Sequence, residues 1–279
     1  MTLPNLRSAL GEPMLSPLAS RDGSDGGGFV GDKDVVMLKA VQYESLDSAG
    51  AGCDGLSVLA SQDMSEGCIP MASWATRAGP RKLIYHDPKT TTAAIVTCGG
   101  LCPGLNDIIQ NIVYMLADYG VPEEQILGVR YGLRGFIDRK LPPIPLHRAE
   151  VDGIQLKGGT ILGTSRGNAQ IHEIVKRLDL WGVNMLFVLG GNGGNAAAEA
   201  IHEECVRENV LCSVVAVPKS IDNDILVIDK TFGFETAVEE AQRAILAAKV
   251  EASSAYRGVG IVRLMGRQVR LVRRRNGMI

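Results

Sequence analysis

The chain has 279 residues, of which 46% are hydrophobic, and its 29 basic residues nearly balance 31 acidic ones. At roughly 150 residues per domain, this length predicts one large domain or two small ones, and the apolar content excludes wholesale disorder. No apolar run approaches the roughly 20 residues of a membrane-spanning helix, so we expect no membrane partner. The net charge of −2 does not favour nucleic acid, whose partners are usually strongly basic.

The six cysteines show neither a disulfide framework nor a zinc-binding pattern. No secretory signal precedes them, no two Cys-x-x-Cys pairs occur, and no histidine lies near the closest pair in the sequence. We therefore expect reduced thiols in a cytoplasmic protein. The cysteines are Cys53, Cys68, Cys98, Cys102, Cys205 and Cys212.

Residues 1–80 differ in composition from the rest, with eleven glycines, ten serines and ten acidic against five basic residues. The stretch at 21–31, RDGSDGGGFVG, has no helical or strand period, so we predict a low-complexity, mostly flexible N-terminal extension. A plastid transit peptide is the alternative, because the first twenty residues contain three serines and only one acid. The aspartates that soon follow argue against it.

Strands alternate with helices from Ala93 onward. Apolar runs predict strands at 93–97, 126–129, 185–189, 213–217 and 258–264. Helical spacing predicts helices at 107–118, 171–180 and 196–206, and a capping-box sequence at 236–239 predicts another that ends near 252. Short apolar strands between helices indicate an α/β fold, with a Rossmann-like, largely parallel sheet covered by helices on both faces.

Three unusual loops each follow a predicted strand: CGGLCPGLN at 98–106, GGNGGN at 190–195 and PKSIDND at 218–224. Because ligands bind outside the carboxyl ends of parallel strands, we expect these loops to share one edge of the sheet and to form a composite site.

The two glycine-rich loops suit a phosphate. In the loop at 98–106, amides unshielded by side chains stand ahead of a helix N-terminus, although the loop is neither a Walker A nor a G-x-G-x-x-G motif. In the loop at 190–195, four glycines would let the backbone approach a polyphosphate closely. An ordinary glycine-rich turn remains the alternative for each.

The third loop carries two carboxylates, Asp222 and Asp224. One could accept a proton from a substrate hydroxyl while the other helps to hold Mg²⁺, and a solvated turn is the alternative. Arg166 and Arg267 are candidate cations for phosphate oxygens. The four histidines lie in none of the loops, which argues against a histidine-based triad.

Six ordered motifs together resemble the ATP-dependent 6-phosphofructokinase family, and most of all its plant-type branch. They are GGLCPGLN at 99–106, GGTILGTSRG at 158–167, LGGNG at 189–193, VPKSIDND at 217–224, KTFGFETAVEEAQRAI at 230–245 and LMGR at 264–267. The resemblance implies phosphoryl transfer from ATP to the 1-hydroxyl of fructose 6-phosphate, with Mg²⁺ as the metal. It also implies a homo-oligomer for full-length members.

The resemblance also implies roles for individual residues. Asp222 would be the catalytic base, and Arg267 would neutralise charge. Residues implied at the ATP site are Gly100, Arg166, Gly167, Gly190, Gly191, Asn192 and Gly193. Residues implied at the sugar phosphate are Ser220, Ile221, Asp222, Met265, Gly266 and Arg267, and the implied metal positions are Asn192 and Asp224.

The donor is predicted from Gly193, where pyrophosphate-using relatives carry an aspartate. Glycine leaves room for a nucleotide, although Lys219 is shared with the pyrophosphate branch. Three residues depart from the family pattern: Gly194 replaces Ser or Thr, Ser220 replaces Thr, and Asn192 replaces a metal-linked Asp. Because Lys219 is shared with the pyrophosphate branch, the pyrophosphate-dependent enzyme stays an alternative.

The resemblance covers residues 81–267, and the basic tail at 268–279 does not resemble the family. The family continues there with a second lobe that holds the 6-phosphate, so we expect a truncated chain. A non-catalytic relative that binds nucleotide or pairs with full-length subunits is a further alternative.

Overall fold

The computed structural model describes residues 10–20, 28–31, 33–37, 74–167, 170–225, 228 and 230–264. The chain divides into two compact units, one formed by residues 1–18 with 84–279 and the other by residues 19–83. The predicted flexible extension at 1–80 lies partly outside the described residues and stays a prediction, as does the basic tail.

Four short strands precede the main sheet: β1 at Met14–Leu15, β2 at Val35–Met37, β3 at Trp74–Thr76 and β4 at Leu83–Ile84. Within the unit of residues 19–83, β2 and β3 form an antiparallel pair. Single turns of 3₁₀-helix occupy Pro17–Ser20 and Pro88–Thr90.

The larger unit is built on a five-stranded sheet. Its strands are β5 at Ala93–Thr97, β6 at Ile126–Val129, β7 at Ile144–Pro145, β8 at Met185–Gly190 and β9 at Ser213–Pro218. Their order is β7-β6-β5-β8-β9, and only β7 runs antiparallel to its neighbour. The predicted Rossmann-like, largely parallel sheet is confirmed.

Six helices of the described chain accompany this sheet: α1 at Leu105–Tyr119, α2 at Arg134–Ile137, α3 at Arg148–Val151, α4 at Ile171–Leu180, α5 at Asn192–Arg207 and α6 at Phe234–Ser253. Further 3₁₀ turns lie at Glu123–Gln125 and Ile154–Leu156. None of the described helices is both long and apolar enough to cross a membrane.

The core has two halves, one on each face of the sheet. Alternate residues of β5 point to opposite faces, so Ile95 packs with α1 and α3 while Val96 packs with α4 and α5. All five residues of β5 are buried because it is the central strand. This double cover explains why the strands read as continuous apolar runs rather than alternating ones.

The strand predicted at 258–264 is wrong. This segment is irregular and folds back along α6, where an added Cβ at Gly260 would lie 2.7 Å from the Ala248 carbonyl oxygen. Leu264 packs against the start of the same helix, whereas Val259 and Ile261 are 82% and 88% exposed. An apolar run forms a strand only where a neighbouring strand pairs with it, and the sheet of the described residues ends at β9.

The helix starts also differ from the prediction. The capping-box sequence at 236–239 does not begin α6, because the helix starts at Phe234 after Gly233, whose φ is +80°. Glycine reaches that left-handed conformation without steric cost, so here it sets the boundary instead of the threonine hydroxyl.

We expect Leu186→Ala, at a fully buried position of β8, to lower the free energy of unfolding by about 2–5 kcal/mol. Leu156→Ala is the matched control, because Leu156 is 87% exposed and the same change should cost less than about 0.5 kcal/mol. Urea unfolding followed by circular dichroism measures both. Equal losses for the two variants would contradict the assignment of β8 to the core.

Candidate active site

The sheet has a switch point between β5 and β8. From β5 the chain crosses through α1 to β6 on one side, and from β8 it crosses through α5 to β9 on the other. Connections that leave neighbouring parallel strands in opposite directions open a crevice at their carboxyl ends. The three loops predicted to form a composite site follow β5, β8 and β9, so all of them lie at this edge.

The loop after β5 is fixed to the segment that contains Arg166. The Gly99 amide donates to the Ser165 carbonyl oxygen at 3.2 Å, and the Thr164 hydroxyl donates to the Gly99 carbonyl oxygen at 2.8 Å. The Arg166 guanidinium lies 3.4 Å from the point that a Gly100 Cβ would occupy. Two predicted ATP-site residues, Gly100 and Arg166, are therefore neighbours, and Gly167 follows on the exposed side.

The loop predicted at 190–195 is wrong for its last four residues, which form the first turn of α5. Gly190 ends β8, and Gly191 is the residue before the helix. The backbone at Gly190 passes so close to α5 that a Cβ on Gly190 would lie 2.8 Å from the Gly194 Cα. The glycines therefore permit an abrupt strand-to-helix turn rather than a long loop.

The N-terminus of α5 has the character of an anion site. The helix has 16 residues, no side chain caps its first amides, and no acid stands in its first turn. The partial positive charge of these amides faces the switch-point edge, because α5 starts where β8 ends. This arrangement supports the phosphate role predicted for Gly190–Gly193, and Gly193 itself borders open space.

The loop after β9 is held by its own polar groups. The buried Ser220 hydroxyl donates to the Asp224 carboxylate and accepts from the Asp222 amide at 3.1 Å. The Thr231 amide donates to Asn223 Oδ1 at 2.7 Å, and the Thr231 hydroxyl donates to the Ser220 carbonyl oxygen at 2.5 Å. Asp222 and Asp224 are consequently presented by a braced turn, in which Ile221 is half-buried.

The two predicted metal positions meet. Asn192 Nδ2, in the first turn of α5, donates to Asp224 Oδ2 at 3.3 Å. A carboxylate and an amide oxygen are the ligand types that Mg²⁺ takes in proteins. The Asp224 carboxylate therefore suits a magnesium ion, whereas Asn192 presents its N–H rather than its oxygen to that carboxylate.

Lys219 joins the loops after β5 and β9. Its Nζ donates to the Gly100 carbonyl oxygen at 2.7 Å, and the residue is buried. Burial is the main cause that lowers the pKa of Lys219.

The two cysteines of the loop after β5 remain thiols. Burial raises the pKa of Cys98 to about 11 and also raises that of Cys102, against the opposing charge of Lys219. The Cys102 thiol donates to the Phe232 carbonyl oxygen at 3.1 Å, which anchors the end of the loop. Because the thiolate is the reactive form, neither cysteine is suited to be a nucleophile.

A second group of metal-type ligands lies far from these loops. Within the described part of the chain, His172, Glu204 and Glu208 bring ligand atoms within 4.8 Å of one another. Glu204 is about 18 Å along α5 from its start, at 1.5 Å per residue. The Glu204 carboxylate already contacts His172 and Arg207, so its oxygens are engaged by side chains of the protein itself.

Met265, Gly266 and Arg267 lie outside the described residues, and their predicted roles stay predictions. Sequence reasoning gave Thr164, Lys219 and Thr231 no part in joining the loops. A buried lysine beside a Gly-Gly turn is recognisable only after the fold is known, because 119 positions separate it from Gly100.

A family model described as phosphofructokinase matches residues 92–272. The chain belongs to the phosphofructokinase family. It is 52% identical over 240 residues to an Arabidopsis thaliana protein named "ATP-dependent 6-phosphofructokinase 5, chloroplastic", with 86% of this chain and 42% of the relative covered. It is 50% identical over 192 residues to the same plant's "ATP-dependent 6-phosphofructokinase 7", with 68% and 39% covered. The chain thus spans about two fifths of the length of these relatives.

The fold is also similar to that of a solved phosphofructokinase. The structure of phosphofructokinase from Saccharomyces cerevisiae matches with a TM-score of 0.51 and 25% identity, covering 59% of this chain and 24% of that one. The family resemblance predicted from the six motifs is confirmed.

Two alanine variants test the strand-to-helix turn. Gly190→Ala should lower the free energy of unfolding by about 1–3 kcal/mol, because its Cβ would meet backbone. Gly193→Ala meets no atom within 4 Å and replaces a helical glycine, so it should raise stability by up to about 1 kcal/mol. Urea unfolding compares the two. A harmless Gly190→Ala would show that Gly190 does not pack against α5.

Proposed function

We propose that this chain acts in phosphoryl transfer from ATP to the 1-hydroxyl of fructose 6-phosphate, which yields fructose 1,6-bisphosphate. The observation that carries the proposal is the convergence of three loops at one switch point. They bring together free helix amides, the Arg166 guanidinium, and the carboxylates Asp222 and Asp224, and Lys219 bonds two of the loops to each other. Phosphoryl transfer needs this combination of phosphate cradle, cations and positioned base.

In the proposed site the phosphates of ATP lie over Gly190–Gly193 and against Gly100 and Arg166. The amides at the start of α5 bind oxygens that gain charge during transfer, and the Arg166 fork adds a cation. The helix amides are fixed before the substrate arrives, so they need little reorganisation.

Asp222 is proposed as the base that takes the proton from the 1-hydroxyl. The braced turn from Ser220 to Asp224 holds its backbone. Met265, Gly266 and Arg267 are proposed to bind the sugar phosphate, as are Ser220 and Ile221.

Asp224 and Asn192 would hold Mg²⁺, which would neutralise phosphate charge when bound. The Ser220 hydroxyl and the Asn192 amide both donate to the Asp224 carboxylate, so its orientation is set by the protein.

Relatives bearing the word "chloroplastic" in their names support a plastid as the location. The composition of residues 1–20 is compatible with a plastid transit sequence, although the sequence alone favoured the cytoplasm. Fructose 6-phosphate and further copies of the enzyme are the partners that the proposal implies.

Asp222→Asn should reduce phosphoryl transfer about 10²–10⁴-fold and leave ATP affinity unchanged, because the amide keeps the shape but cannot take the proton. ADP formation from ATP and fructose 6-phosphate is measured in this chain, and also in the chain extended by the part of the Arabidopsis relative beyond the alignment. Asp179→Asn, on an exposed helix end, is the control. An Asp222→Asn rate equal to wild type would refute the base, and a wild type inactive in both forms would refute the function.

Gly193→Asp should weaken ATP binding by about tenfold or more, because it sets a carboxylate beside the phosphates. Gly193→Asn is the isosteric neutral control and should bind ATP more tightly than the aspartate variant. Neither side chain meets an atom within 4 Å at its Cβ, so both variants should fold. Calorimetric titration with ATP and with pyrophosphate measures the affinities. Preference of the wild type for pyrophosphate would overturn ATP as the donor.

A further inference from the structure

Lys219 links the carboxyl ends of three strands of the sheet. Its amide donates to the Gly190 carbonyl oxygen at 2.9 Å, at the end of β8. Its own carbonyl oxygen lies 3.1 Å from the point that a Gly191 Cβ would occupy. Its side chain crosses the switch point and donates to Gly100 after β5. Lys219 itself directly follows β9.

We propose that Lys219 is a positioning residue that clamps the loop after β5 through the Gly100 carbonyl oxygen, and that it acts on the nucleotide through this loop rather than as a phosphate ligand. The inference rests on the proposed function only in naming the nucleotide as the ligand of the loop. The hydrogen bond that forms the clamp is present in the protein without a ligand.

Burial supports a clamp. Lys219 is 5% exposed, whereas Arg166 on the same edge is exposed. An ammonium group that served mainly as a phosphate ligand would stand open to the crevice before the ligand arrived. Here a buried charge is instead stabilised by a short, charge-assisted hydrogen bond to a backbone carbonyl.

The clamp also has an electrostatic consequence for the loop. Both carbonyl oxygens of the Gly-Gly turn are engaged, that of Gly99 by the Thr164 hydroxyl and that of Gly100 by Lys219. Carbonyl oxygens carry partial negative charge and would repel a phosphate if they turned toward it. Holding both of them fixes which side of the turn can face an anion.

Two measurements on the nucleotide-free chain test the clamp directly. Lys219→Met keeps the length of the side chain and removes its charge and its donors. Hydrogen exchange of the loop at 98–104, followed by mass spectrometry, should become about tenfold faster or more, because a charge-assisted bond is lost. Lys176→Met, on the exposed face of α4, is the control and should leave the loop unchanged.

Wild-type lysine labelling gives a second readout that needs no variant. With an amine-reactive reagent, Lys219 should react about tenfold more slowly than Lys176 without nucleotide, and ATP should add less than about twofold further protection. A phosphate ligand would instead be labelled freely and become protected only by ATP, and that result would overturn the clamp even if Lys219→Met failed to fold.

ATP titration separates the clamp from the proposed function. Lys219→Met should bind ATP about tenfold more weakly, and saturating ATP should restore the slow exchange of the loop. Weaker ATP binding with unchanged exchange in the free protein would overturn the clamp. A wild type that does not bind ATP, but whose loop loosens in Lys219→Met, would refute the proposed function and leave the clamp standing.

Discussion

The parallel pairing of β5 with β8 is the constraint on which the rest of the structure depends. β5 is buried on both faces, and the chain leaves these two strands toward opposite edges of the sheet. Their carboxyl ends must then open a crevice, because no crossover connection runs between them at that edge. The start of α5, the loop after β5 and the loop after β9 are brought together by this pairing and by nothing in their own sequences.

Hydrogen bonds between the loops convert this proximity into a defined site. Lys219 connects the loop after β9 to Gly100, and Asn192 connects α5 to Asp224. Each bond satisfies a polar group that would otherwise be costly at a partly buried edge. The Asp224 carboxylate, the loop at Gly100 and the free amides of α5 therefore keep fixed relative positions, which is the condition under which polar groups stabilise a developing charge well.

Local patterns predicted the elements well where the signal was local. β5, β6 and α4 have the predicted boundaries, because the burial of a strand or of one face of a helix produces a hydrophobic pattern in consecutive residues. The start of α5 was misread, since GGNGGN has the composition of a loop and nothing in it reveals that Gly190 packs on Gly194. The strand predicted at 258–264 is wrong for the opposite reason, because its apolar residues suit a strand but no strand of the described sheet pairs with it.

The sequence by itself determined the α/β class, the succession of strands and glycine-rich turns, and the residue types that identify the family. Only the tertiary structure decided that Asn192 donates to Asp224, that Lys219 reaches Gly100 across 119 positions, and that the Asp224 carboxylate is already held by two donors. The physical reason is that periodicity and turn chemistry act over a few residues. Contacts between loops depend instead on the order of strands in the sheet, which long-range backbone hydrogen bonds select.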